Sequence, residues 1–123
     1  MTLRIRIRVS TRLVILIGDR AYKFPLGRRG YLQGKNEKKI WDQYKELGVL
    51  GDLIWERFGC VCMKRYPPAS RIPHYVIRCI KELIPEFDIP RCDLNKVENW
   101  GKDKYSNPVL IDYGINEYIS TLY

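Results

Sequence analysis

The chain reads as an α+β fold: an antiparallel N-terminal sheet carrying one helix, followed by a short, mainly helical C-terminal part. Three observations predict it. Near the N-terminus Leu3, Ile5, Ile7 and Val9 alternate with Arg4, Arg6 and Arg8, which is the period of a half-buried strand. Further on, Ile40, Trp41, Tyr44 and Leu47 recur at the three- and four-residue spacing of a helix whose stripe faces a core. Finally, the runs LIWERF (53–58) and CVCMKR (60–65) flank Gly59 in the manner of a hairpin.

Taken in order, Ser10 and Thr11 turn the first strand back into the apolar run 13–17. Gly18-Asp19-Arg20 then makes a hairpin turn into a third strand, 21–26, which ends at Pro25 because proline cannot donate to a ladder. GRRGYLQGK (27–35) reads as a basic loop punctuated by glycine. Asn36 is placed to cap the helix that follows, Glu37 lies in its first turn, and Gly48 stops it. After the hairpin, Pro67 and Pro68 end the strand, and a helix over 72–83 is expected to bury Tyr75, Val76, Cys79, Ile80 and Leu83. Pro85 and Pro90 bracket the approach to Asp93, and His74 reads as a solvated or capping residue.

Composition bounds the function. With 123 residues the chain suits one domain with one core, and 46% apolar residues, including three Trp, nine Tyr and three Phe, exclude a disordered segment. No apolar run reaches the ~18 residues of a membrane span. The N-terminal arginines and apolar run do not read as a cleavable leader, because the alternation is that of a strand and no small-residue cleavage site follows. Of the four cysteines, Cys60, Cys62, Cys79 and Cys92, the C-x-C pair shares a strand face and reads as small buried hydrophobes. With His74 the single histidine, a zinc site is not expected, and reduced thiols suit a cytoplasmic protein. The net charge of +8 attracts phosphates, acidic proteins and nucleic acid alike. The arginine face of the first strand lacks the interleaved aromatics on which bases stack, which ranks a nucleic-acid surface third among the functions considered.

The chemistry concentrates in DLNKVENWGKDKYSNPVLIDYG, residues 93–114. Two acids, Asp93 and Asp112, surround Asn99, and Asp112 follows the apolar run 109–111, a short buried strand. Carboxylate and amide oxygens are the ligands that Mg²⁺ combines with phosphate oxygens, and Gly114 allows a sharp backbone turn just after the acid.

At these residues the chain resembles the protein kinases. DLNKVEN is similar to their D-L-x-x-x-N catalytic loop, and IDYG to their D-F-G metal motif, with Tyr113 in place of phenylalanine. Asn36, Glu37 and Trp41, followed by Asp93, Leu94, Asn99, Gly101 and then 111–114, particularly resemble short kinase-like proteins of bacteriophages. The resemblance implies a single kinase-like domain, with 1–66 an N-lobe-like sheet and helix and 67–123 a truncated C-lobe-like part. It implies ATP and Mg²⁺ as cofactors. Lys23 would contact phosphates, Glu37 would orient Lys23, and the segment 63–66 would meet adenine through its backbone, with Met63 and Arg65 contributing to nucleotide binding. Asp93 would accept the proton of a substrate hydroxyl, and Asn99 and Asp112 would hold the metal.

The departures from the pattern are specific. Asn99 follows Asp93 by six residues rather than five, so one residue must bulge near Asn95. No G-x-G-x-x-G lies between the first two strands, where Val9-Ser10-Thr11-Arg12 stands instead, and Arg91-Cys92 replaces the H-R that precedes the aspartate. Only INEYISTLY follows Gly114, room for roughly two helical turns, where kinases carry an activation segment and peptide-docking helices. The functions considered are therefore a minimal phosphotransferase acting on a hydroxyl, and an inactive kinase-like scaffold that grips a host protein in the host cytoplasm. Either could pair as a homodimer to cover the exposed ends of so small a fold.

Overall fold

Alternating apolar residues and tight turns give the N-terminal half its sheet. A computed structural model describes residues 3–7, 11–83, 89 and 91–114. Arg8, Val9, Ser10, Pro85, Pro90 and the segment after Gly114 lie outside the described residues, as do the side chains at 3–7, 83, 91 and 92, and with them the arginine face of the first strand. The strands are β1 (Leu3–Ile7), β2 (Arg12–Ile17), β3 (Arg20–Pro25), β4 (Leu53–Arg57) and β5 (Cys60–Lys64). They form one five-stranded sheet in the order β1-β2-β3-β5-β4, with every neighbouring pair antiparallel. Both expected hairpins are present. Gly18 takes φ 58° between β2 and β3, and Phe58 and Gly59 take φ 52° and 83° between β4 and β5, the left-handed pair that matches strand twist.

The helix α1 spans Arg28–Tyr44, so it starts well before the expected cap at Asn36. The basic loop expected over 27–35 is instead the first two turns of this helix. Gly30 and Gly34 are one turn apart and face the sheet: a Cβ on Gly30 would overlap the carbonyl oxygen of Thr11, and one on Gly34 the carbonyl oxygen of Gly59. Here glycine serves close approach of backbones rather than breaking the helix. Asn36 is no cap. Its Nδ2 donates to the carbonyl oxygen of Gly114 at 3.0 Å, and Glu37 moves to the third turn. The exit is as expected: a 3₁₀ turn over Lys45–Leu47 ends at Gly48 with φ 72°.

The C-terminal part contains α2 (His74–Leu83), α3 (Arg91–Leu94) and a 3₁₀ turn at Val97–Asn99. It also contains a small ribbon of β6 (Trp100–Lys102) paired with β7 (Pro108–Leu110), so this part is less helical than expected. The buried run at 109–111 does yield β7, whereas three-residue β6 gives too short a pattern to register as a strand. Among the described side chains of α2 the buried ones are Ile77 and Ile80, and Tyr75 is 76% exposed. Tyr75 precedes Ile77 by two residues, roughly 200° around the helix, so both cannot face the core. Cys62 is buried as expected, and Cys60 and Cys79 are partly buried free thiols. No helix among the described residues is long and apolar enough to cross a membrane.

One buried cluster joins the two parts. Ile40 of α1 and Val61 and Met63 of β5 belong to it together with Ile80, Trp100 and Tyr113. The backbone reinforces the seam, since Leu110 N donates to Val49 O at 2.7 Å and Gly51 N to Leu110 O at 2.8 Å.

Replacing Gly34 by alanine tests the reading of α1. If these residues were a loop, alanine would be neutral. In the observed packing Gly34→Ala gains about 1 kcal/mol of helix propensity but forces a backbone shift costing about 1–3 kcal/mol, so urea denaturation should show a net loss of stability.

Candidate functional site

Strand period and register put Arg12, Val14 and Leu16 of β2, Ala21 and Lys23 of β3 and Met63 of β5 on one face of the sheet. These residues form one wall of a cleft of about 360 Å³. The opposite wall comes from the C-terminal part and includes Asp93, Lys96, Asn99, Trp100, Ile111 and Asp112. The sheet side is apolar away from Arg12 and Lys23, while Lys64, Arg65 and Lys96 add positive charge to the lining.

Behind this wall lies a carboxylate with no solvent exposure. Glu37 Oε1 accepts from Arg12 Nη1 at 2.6 Å, and Oε2 accepts from Lys23 Nζ at 2.9 Å and from the backbone N–H of Tyr113 at 3.2 Å. Arg12 extends the network by donating through Nη2 to Asp112 Oδ1 at 2.8 Å. Lys23 Nζ also donates to the carbonyl oxygen of Ile111 at 2.7 Å. Two cations and two carboxylates thus form a neutral quartet that ties α1, β2 and β3 to the segment after β7.

The local electrostatics follow from burial opposed by pairing. Burial pushes the Glu37 carboxyl up, but Arg12 and Lys23 outweigh it and leave its pKa below the ordinary value of 4.5. Burial pulls Arg12 down, yet Glu37 and Asp112 hold it above the usual guanidinium value. Lys23 ends below the usual lysine value, because burial, helped by the nearby charge of Arg12, exceeds the pull of Glu37. Tyr113 is raised by burial and then by the charge of Glu37, and its hydroxyl donates to Gly51 O at 3.0 Å, which gives a tyrosine a reason to stand here.

All of the residues singled out in the sequence meet at this place. Lys23, Met63, Arg65, Asp93, Asn99 and Asp112 line the cleft, and Glu37 clasps Lys23 from behind. Asp93 sits in α3, with its Oδ1 3.3 Å from Lys96 Nζ. The amide of Asn99 closes the intervening loop by donating to the carbonyl oxygen of Asp93 at 3.0 Å, with Asn95 at the turn. In the segment 63–66, Lys64 N already donates to Asp52 O at 2.9 Å and Arg65 N to Asp19 O at 2.8 Å, so those two backbone donors are engaged within the protein. Gly114 is required for space rather than for an unusual φ: a Cβ there would crowd Gln33 O and Glu37 Cγ.

Two residues of the site escape the sequence reading. Arg12, assigned to the turn between strands, begins β2. It shares parity with Val14 and Leu16, and a cation in phase with an apolar face signals a buried acid partner. Gln33 stands four residues before Glu37 on the same helix face, inside the stretch read as a loop. It is buried, lines the cleft, and its Oε1 has no hydrogen-bond partner among the described residues.

As arranged, the quartet balances its own charge without a divalent cation. Asn99 and Asp112 line the same cleft, but Asp112 already carries a guanidinium. Like unit charges 4 Å apart repel by about 4 kcal/mol at an effective dielectric of about 20, and a divalent ion doubles that. Among the described residues no three His, Cys, Asp or Glu side chains converge as a metal site. The cations and the apolar wall do fit a ligand with a flat apolar end and an anionic end. No protein-family model matches the chain, and no curated protein matches its sequence.

Glu37→Gln is expected to cost about 3–5 kcal/mol in urea denaturation at pH 7, because two buried cations lose their shared partner. The pH dependence has a definite sign. Glu37 has a folded pKa below 4.5, so the unfolded chain takes up the proton first and the wild type loses stability as pH falls through that window. The variant should lack that part of the acid limb. Gln33→Leu is expected to stabilise the ligand-free protein by about 1–3 kcal/mol, since it removes a buried acceptor without a partner. A loss of stability on that substitution would show that the amide is satisfied.

Proposed function

We propose that this chain is a kinase-like nucleotide-binding protein whose cleft takes a nucleoside triphosphate. The observation that carries the reading is convergence. Residues as distant as Lys23, Met63, Asn99 and Asp112 line one cleft, and Lys23 is held by Glu37 at 2.9 Å as a phosphate-binding lysine requires. The base would lie against Val14, Leu16, Ala21 and Met63, and the phosphates would turn toward Lys23 and Arg12. Asp93, on the opposite wall, is the group that would take the proton from an attacking hydroxyl, which makes phosphotransfer the activity to look for.

A second reading is favoured by a specific observation, the 2.8 Å contact between Arg12 and Asp112. It engages the acid that Mg²⁺-dependent transfer would require. In this reading the protein is catalytically silent, and its kinase-like fold grips a protein partner, a host protein if the resemblance to phage proteins holds.

Binding and activity are separable. ATP at about 100 times its Kd should stabilise the protein by about 2.7 kcal/mol, visible as a raised Tm, and Lys23→Met should abolish the shift. Absence of any shift at millimolar ATP sinks the nucleotide reading. Transfer of the γ-phosphate to water or a hydroxyl acceptor should fall by about 10²–10⁴ in Asp93→Asn if Asp93 is the base. Equal background rates in wild type and variant, with binding intact, select the silent reading.

A further inference from the structure

Arg12 stands between the two carboxylates at the inner end of the cleft. Its side chain is 4% exposed, and it bridges Glu37 Oε1 at 2.6 Å and Asp112 Oδ1 at 2.8 Å. These two bonds use two of the five N–H donors of a guanidinium, whose planar fork suits phosphate oxygens as well as carboxylates. Lys23 stands beside it, held through the same Glu37. Both cations line the cleft. A divalent ion approaching Asp112 meets a carboxylate that already shares its Oδ1 with a guanidinium.

We propose that Arg12 is the resident cation of this site, so that the cleft binds the phosphates of a nucleotide on Arg12 and Lys23 without a divalent metal. This rests on the nucleotide reading above and specifies the form of the ligand: the metal-free polyphosphate rather than its Mg²⁺ complex. The carboxylate of Asp112 then serves to hold Arg12 in place, as a positioning residue and not a metal ligand. Gly30 supports the arrangement from outside, since a Cβ there would also crowd Arg12 Cγ.

Isothermal titration of the full chain with ATP, in EDTA and in excess Mg²⁺, decides the matter. The wild type should bind at least as tightly in EDTA as in Mg²⁺. Wild-type binding that weakens tenfold or more in EDTA overturns the inference and leaves the nucleotide reading standing, whereas binding in neither condition removes both. Asp112→Asn provides a second test with little risk to the fold, because Arg12 keeps Glu37. With its second anchor gone, Arg12 should bind ATP several-fold more weakly in EDTA and in Mg²⁺ alike, and a loss confined to Mg²⁺ would show Asp112 to be a metal ligand and overturn the proposal. Arg12→Met should reverse the wild-type preference and make binding at least tenfold tighter with Mg²⁺. If that variant does not fold, the wild-type and Asp112→Asn titrations still decide. Titration with tripolyphosphate and with adenosine separates the two ends of the ligand: tripolyphosphate alone should retain the indifference to metal, and a metal requirement there would also count against the proposal.

Discussion

The structure depends on burying one carboxylate. An isolated charge in an apolar interior costs far more than any single packing contact returns, so Glu37 can be fully buried only if cations and donors reach it from several directions. They come from the start of β2, the middle of β3 and the segment after β7, as Arg12, Lys23 and the N–H of Tyr113. Two positive charges exceed what one carboxylate balances, and Asp112 takes up the excess through Arg12. The quartet therefore adds a polar constraint on the placement of the last described segment against the sheet, beside that of the apolar core. Lys23 Nζ on Ile111 O and Asn36 Nδ2 on Gly114 O fasten the same stretch by its backbone.

Glycine makes that geometry attainable. Helix α1 must come close enough to the sheet for Glu37 to reach Lys23, and Gly30 and Gly34 remove the Cβ atoms that would collide with the carbonyls of Thr11 and Gly59. Gly114 does the same for the segment after β7, against Gln33 and Glu37. Within the helix, Gly30 and Gly34 each carry a conformational cost of roughly 0.5–1 kcal/mol relative to alanine. The return is access to a charge network that no longer-range contact could form.

These constraints explain which parts of the site are legible in the sequence. Lys23, Glu37, Asp93, Asn99 and Asp112 stand in a recognisable order and spacing, and strand period correctly sets Lys23 on β3. The N-terminal meander and the hairpin at Gly59 are legible because turn chemistry and apolar alternation agree there. The start of α1 is not, because glycine carries two opposite meanings: in one dimension it breaks a helix, and in three it permits contact. Only the recurrence of glycine four residues apart, at 30 and 34, distinguishes the second meaning. Arg12 is hidden for a related reason. Preceded by arginines at 4, 6 and 8, it looks like one more solvated cation, and its parity with Val14 and Leu16 counts only once β2 is seen to begin at residue 12. Tyr75 reads as buried for its apolar character, although no single helix face can hold both it and Ile77.

The quartet also bears on what sort of catalyst, if any, such a cleft can be. Glu37 and Asp112 raise each other's affinity for a positive charge, and the negative charge of Asp112 opposes the ionisation of Glu37. A protein that carried only Lys23 between them would hold one surplus negative charge and would recruit a cation from solution. With Arg12 in place the demand is met from within the chain, and the ligand-free cleft is already neutral at its inner end. A tethered guanidinium differs from a metal in two ways that matter for chemistry. It neutralises phosphate through hydrogen-bond donors in a fixed plane, and it does not exchange with solvent. Metal-assisted transfer gains from an ion that follows the developing charge on both attacking and leaving oxygens. A residue anchored to Glu37 can follow that charge only by giving up a buried partner, so, on the proposed nucleotide reading, the same contact that stabilises the fold favours holding the ligand over turning it over.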